Sequence, residues 1–146
     1  VQYLIKLIKF TKMSNWEKKY HVESSMPNDP KGFHAFLGRW QPLHEGHQQL
    51  FQQVLDNGGN VLIMIRDIEP NEKNPFTAEQ VKENIIKHYY QEIFDDRIMV
   101  AIVPNIVSIN FGRGVGYDIV EFVPPSEIAD ISATKIREKM RENGDL

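Results

Sequence analysis

Two imidazoles three residues apart, His44 and His47, flank Gly46 at a turn between an apolar run and a segment of helical spacing. Side chains so separated project from about the same side of a first helical turn. A helix start also presents unpaired backbone N–H groups and the positive end of the helix dipole. Such a set of donors suits a polyphosphate. Gly46 is expected to let something bulky approach the backbone. The plain alternative is a pair of surface histidines, since a bare H-x-x-H is common. A metal pair lacks an obvious third ligand, and the chain has no cysteine. Near the other end, Ser132 is a natural N-cap. If it caps, the amides of Thr134 and Lys135 lie near the free N-terminal donors. Thr134 adds a hydroxyl, while Lys135 and Arg137 add positive charge. Here the alternative is a capped surface helix with two solvated cations.

These groups need elements to hold them. Residues 33–37 read as a short buried strand leading into the turn 38–47, and Leu50, Phe51, Val54 and Leu55 form the apolar face of the helix that follows. Gly58 and Gly59 stop that helix. Residues 61–65 are continuously apolar, the mark of a strand covered on both faces. Arg66 lies at its C-terminal end, where ligands collect in an open parallel sheet. After a polar loop, Thr77 and Gln80 make a capping box. Val81, Ile85 and Tyr89 share one face of that helix, with Ile86 and Tyr90 beside them. Residues 97–103 read as a third strand stopped by Pro104. Strand–helix alternation argues for an α/β sheet with right-handed crossovers.

Further on, residues 106–110 read as a fourth strand, 112–116 as a glycine-rich loop carrying Arg113, and 118–123 as a last strand. The closing helix has Ile136 and Met140 on its inner side. Residues 104–131 are too few for a full crossover helix and a substrate pocket. Residues 14–32 read as an arm, with Trp16 and Tyr20 packing it down as neighbours on a helix. Residues 1–12 alternate apolar residues with Lys6, Lys9 and Lys12, and suit a basic surface helix, a strand or a non-native extension, with Met13 as a natural start. The chain therefore divides into an arm, 1–32, and a domain, 33–146.

At 146 residues, 41% apolar and 25% charged, the composition is that of a globular domain. A net charge of −3 gives no broad basic field for nucleic acid or an anionic membrane. Anion binding must then be local. The absence of cysteine excludes disulfides and thiolate chemistry and fits a cytoplasmic location.

The string Gly38-Arg39-Trp40-Gln41-Pro42-Leu43-His44-Glu45-Gly46-His47 resembles the G-R-F-Q-P-x-H-x-G-H signature of the nucleotidyltransferase superfamily, departing only at Trp40. Residues 131–137, Ile-Ser-Ala-Thr-Lys-Ile-Arg, resemble its C-terminal I-S-x-T-x-x-R motif. Residues 74–79, Asn-Pro-Phe-Thr-Ala-Glu, look like the N-P-F-T-A-x-E-R segment of archaeal-type nicotinamide-mononucleotide (NMN) adenylyltransferases, with Gln80 where that family has arginine. The resemblance implies a Rossmann-like open parallel sheet with helices on both faces, abbreviated here after the third strand. It implies transfer of AMP from Mg²⁺-bound ATP to a phosphate-bearing small molecule, NMN first, with release of pyrophosphate. His44, His47 and Arg137 are then catalytic. Gly38, Arg39, Trp40, Gln41, Gly46, Ser132, Thr134 and Lys135 bind ATP. Arg66, Asn74, Phe76 and Arg113 are candidates for the acceptor. No dedicated metal ligands, nucleic acid or membrane are expected, and a homo-oligomer is open. If His47 acts only on substrate, its removal should leave stability nearly unchanged. A cytidylyltransferase for a small phospho-alcohol or sugar phosphate would share both motifs, though Gln41 favours the NMN type. A non-catalytic nucleotide sensor is the alternative of another class, which the short 104–131 region suits.

Overall fold

The computed structural model describes residues 16–22, 31–113 and 117–146. Its centre is a three-stranded parallel sheet of order β2-β3-β4, formed by Phe33–Gly38, Asn60–Arg66 and Ile98–Val103. Helix α1, Glu45–Asp56, joins β2 to β3. Helices α2, Ala78–His88, and α3, Tyr90–Phe94, join β3 to β4. This is the expected α/β arrangement with a parallel sheet.

Each helix begins and ends where its sequence dictates. Thr77 caps α2, and Gln80 reaches back to the Thr77 amide at 2.8 Å. Helix α1 stops at Asn57, and Gly58 follows at φ +82°, a conformation that glycine adopts without strain. Arg97 then pins this corner, donating from Nη2 to the carbonyls of Leu55 and Gly59 and from Nε to Asn60 Oδ1.

Both long helices cover the same side of the sheet. Phe51 of α1 and Tyr89 of α2 meet edge to face with ring centroids 6.1 Å apart. Beneath them lie Val61, Ile63, Ile65 and Ile98, all essentially closed to solvent. Residues of the opposite parity, Leu62 and Met64, are only partly buried, and Met99 is exposed. The expectation of β3 covered on both faces is therefore corrected. Two successive crossovers of one hand along a sheet of order β2-β3-β4 put their helices on one side. Helix cover on the second face would require the further strand–helix unit that the short 104–131 region leaves out.

Three smaller expectations also change. Residues 106–110 form no strand, and Val107 and Ile109 are exposed. The last strand, β5, Ile119–Val123, does not join the parallel sheet but pairs antiparallel with β1, Glu17–Val22. Part of the stretch read as an arm is thus a strand. Just before it Trp16 is buried, and on it Tyr20 is exposed, so the two do not pack as helical neighbours. The expectations for residues 1–12 and for Gly114 and Gly116 lie outside the described residues. After β5 come a short turn of helix, α4, Ser126–Ala129, and the final helix α5, Ala133–Glu142. The inner side of α5 holds the buried Arg137, with Ile136 and Met140 partly buried.

Candidate functional site

The signature turn is built around Trp40. Its backbone sits at φ +52°, a left-handed conformation that costs a bulky residue about 1 kcal/mol or more. Burial of the indole and a 3.0 Å bond from its Nε1 to the Met64 carbonyl offset that strain. The ring folds back over Gly38, where an added Cβ would lie 2.7 Å from the indole carbons. Gly38 and Trp40 are thus a matched pair. Gln41, also buried, turns its amide away from the turn. Its Nε2 donates to the Phe76 carbonyl at 2.9 Å and its Oε1 accepts from the Phe76 amide at 3.0 Å. One side chain therefore acts as a piece of β-ladder that ties the turn to the 67–76 loop.

His44 and His47 cap α1 with each other. His44 Nδ1 accepts from the His47 amide at 3.4 Å, and His47 Nδ1 accepts from the His44 amide at 3.2 Å. Their rings stack, with centroids 3.6 Å apart and planes 17° from parallel. Trp40 stands edge-on against His47 at 4.8 Å. Burial, with the neighbouring His44 as a second cause, pushes the His47 imidazole down from 6.5 to about 3. Burial also lowers His44. Both rings are then neutral near pH 7. Since each Nδ1 accepts a backbone N–H, the remaining proton belongs on Nε2. The pair presents two Nε2–H donors side by side. Gly46 makes this possible, because an added Cβ would come within 2.9 Å of His44 Cε1. Its small size gives room to the imidazole.

Helix α5 meets this turn directly. Arg137 Nη1 donates to the Gln41 carbonyl at 2.7 Å, and Nη2 donates to Thr134 Oγ1 at 3.3 Å. Burial, then repulsion from Arg141 and Arg39, lower the Arg137 pKa. The guanidinium is buried beside other cations, and among the described residues no carboxylate pairs with it. Ser132 caps α5 as expected, accepting from the Lys135 amide at 3.1 Å, so that amide is already bonded. The Lys135 ammonium donates to the Asp130 carbonyl at 3.4 Å. Ile128 of α4 reaches the same region, with Cγ2 3.7 Å from where a Gly46 Cβ would stand.

The other expected site residues divide. Arg39 is exposed. Arg66, at the end of β3, is partly buried and donates from Nη2 to Asn105 Oδ1 at 2.8 Å. Asn74 and Phe76 turn inward. The Asn74 amide group braces Asn71 within its own loop, and Phe76 packs against the core. Arg113 is exposed in the irregular stretch after β4. Two residues escaped the sequence reading. Arg141, one helical turn past Arg137, donates to the Glu72 carbonyl and so ties α5 to the 67–76 loop. Asn105 stands directly after the Pro104 stop, and its position at a strand's C-terminal end was the available signal.

Comparison with known proteins agrees with the motifs. Residues 35–97 match the family model described as cytidylyltransferase-like. The chain is 28% identical over 112 residues to the nicotinamide-nucleotide adenylyltransferase of Thermococcus kodakarensis, covering 75% of this chain and 58% of that protein. It is 27% identical over 111 residues to the enzyme of the same name from Pyrococcus furiosus, covering 75% and 58%. To the nicotinamide/nicotinic acid mononucleotide adenylyltransferase of Acinetobacter baylyi it is 37% identical over 77 residues, covering 51% and 39%. The chain thus spans less than two thirds of the length of these relatives. No solved structure matches it. Among the described residues no helix is long and apolar enough to cross a membrane. Through its signature turn and the elements around it, this chain is similar to nucleotidyltransferases, with a cytidylyltransferase-like segment at residues 35–97 and a likeness to nicotinamide-nucleotide adenylyltransferases, mostly archaeal, over about three quarters of its length.

Proposed function

We propose that this protein transfers AMP from ATP to the phosphate of a mononucleotide, NMN or its nicotinic acid counterpart, forming a dinucleotide and releasing pyrophosphate. One observation carries the reading. The buried guanidinium of Arg137, which forms no ion pair among the described residues, joins the start of α5 to the turn that starts α1, through the 2.7 Å bond to Gln41. That bond supports a reading in which donors and cations from the two helix starts meet one triphosphate. The names of the relatives support the choice of substrates.

In this reaction an oxygen of the acceptor phosphate attacks the α-phosphorus of ATP. The bond from that phosphorus to the bridging oxygen breaks, and pyrophosphate leaves with the electron pair. The nucleophile is already an anion, so no enzymic base is needed, and catalysis is positioning and charge stabilisation. The Nε2–H groups of His44 and His47 donate to the triphosphate oxygens on which charge builds. Arg137, Thr134 and the start of α5 hold the β- and γ-phosphates, with Arg39 and Lys135 adding charge. Mg²⁺ would accompany the triphosphate and neutralise part of its charge, with phosphate oxygens and water among its ligands.

The test is incubation with ATP and Mg²⁺ against NMN, nicotinic acid mononucleotide and small phosphate acceptors, following pyrophosphate and dinucleotide together. Dinucleotide formed in step with pyrophosphate is expected. Turnover only with CTP, or nucleotide binding with no product on any acceptor, would overturn the proposal.

A further inference from the structure

We propose that Arg66 is the recognition point for an anionic group of the acceptor, a carboxylate or a phosphate; this rests on the nucleotidyl-transfer reading above. Arg66 ends β3, the central strand. Its neighbour Ile65 pairs with Gly38, the residue from which the signature turn departs. Met64, two residues earlier, holds the Trp40 indole through its carbonyl. On the other side the Asp67 amide bonds the Val103 carbonyl at 2.8 Å, so Arg66 stands at the C-terminal edge of the sheet beside the histidine-bearing turn.

Its charge is unanswered. Of the five N–H donors on a guanidinium, one bonds Asn105 Oδ1 at 2.8 Å. The Nε–H is closed off from solvent with no acceptor at all. Among the described residues no carboxylate forms an ion pair with Arg66. A partly desolvated cation without an anion is unfavourable, and so is a buried N–H without a partner. Arginine cannot escape by losing its proton. Asn105 fixes the plane of the group from one edge and leaves its outer end open to solvent. A planar fork held in this way fits the two oxygens of a carboxylate or phosphate. The triphosphate already has Arg137 and the helix starts, which leaves Arg66 for the second substrate.

The experiment compares the full chain with Arg66→Met, Arg66→Lys and Asn105→Ala. Calorimetry without ATP gives the Kd for NMN, nicotinic acid mononucleotide and inorganic phosphate. Steady-state kinetics give KM for ATP, and thermal melting checks the fold. Arg66→Met should raise the Kd for an anionic acceptor at least tenfold and leave the KM for ATP within twofold. Arg66→Lys should restore only part of the loss, and Asn105→Ala should raise the same Kd severalfold. A loss confined to the nicotinic acid form assigns the fork to the ring carboxylate, and a loss for both mononucleotides assigns it to the phosphate. Unchanged Kd values in a folded Arg66→Met protein overturn the proposal. If that variant does not fold, an unchanged Kd in Asn105→Ala overturns it. If the wild-type chain converts neither mononucleotide, yet binds inorganic phosphate through Arg66, the proposed reaction fails and the anion site stands. If it binds none of the three, both fail.

Discussion

Arg137 Nη1 and the carbonyl oxygen of Gln41 lie 2.7 Å apart although ninety-six residues separate them in the chain. The bond draws the last helix onto the turn that launches the first. It places a guanidinium that forms no ion pair among the described residues against the backbone that leads to the paired imidazoles. A fully hydrated arginine would hold no such position. Its burial makes the cation available to a phosphate at little further desolvation cost.

Arg137→Met should therefore damage two properties together. Loss of a hydrogen bond from a buried charged donor costs about 1.5–3 kcal/mol of stability, to be read from urea unfolding. Removing a donor from developing phosphate charge should lower kcat/KM for ATP by about 10²–10³-fold. A stability loss with unaltered kinetics would make the bond to Gln41 its whole role.

Replacing His47 should also tell on both levels, since its place in the cap of α1 goes against the expectation that its removal would leave stability alone. It is the third residue of a reciprocal cap whose other half is His44. His47→Ala should cost about 1 kcal/mol through the lost cap and also abolish most activity. His47→Gln should separate the two effects, since glutamine at this position can still reach back to the cap amide. We expect a melting temperature near wild type and turnover down by about 10²-fold. An active glutamine variant would remove the imidazole from catalysis.

Stability should fall on mild acidification. The folded-state pKa of His47 is about 3, below its ordinary 6.5, so the unfolded chain binds a proton that the folded chain refuses. The stability is complete above pH 6.5 and declines as pH drops from there toward 3. His44 and His34 are shifted in the same direction, mainly by burial, and steepen the decline. Melting temperatures measured from pH 7.5 to 5 should fall, and His47→Gln should flatten the slope. Identical slopes in the two proteins would contradict the burial of His47 as the cause.

Gln41→Ala should loosen the 67–76 loop without touching the imidazoles. It removes both bonds to Phe76 and strands that residue's amide and carbonyl, which costs about 1–3 kcal/mol for a buried group left unpaired. Hydrogen exchange at the Phe76 amide should speed up accordingly. Unchanged exchange would mean that packing, not the Gln41 amide, holds the loop.

Local features were legible in the residues. The Thr77–Gln80 capping box, the glycine stop after Asp56, the buried face of Val81, Ile85 and Tyr89, and the parallel strands all follow from rules acting within a few residues. So did the presence of two anion-suited helix starts, because Ser132 and the histidine pair carry their spacing on the surface of the sequence. What lay beyond sequence depends on contacts made far along the chain. That β5 pairs with β1 and not with the parallel sheet is a choice among edges, and an apolar run does not name its partner. Gly46 read as an opening for a ligand, yet Gly46 and Gly38 each make room for a neighbouring ring, because a missing Cβ does not say what fills the space. Gln41 and Asn74 carry amides that suit a substrate as well as a backbone, and only folding turned them inward. Arg66 and Arg137 would read as solvated cations anywhere else in the chain. That neither forms an ion pair among the described residues, the basis for proposing them as anion sites, comes from which side chains the fold brings near them.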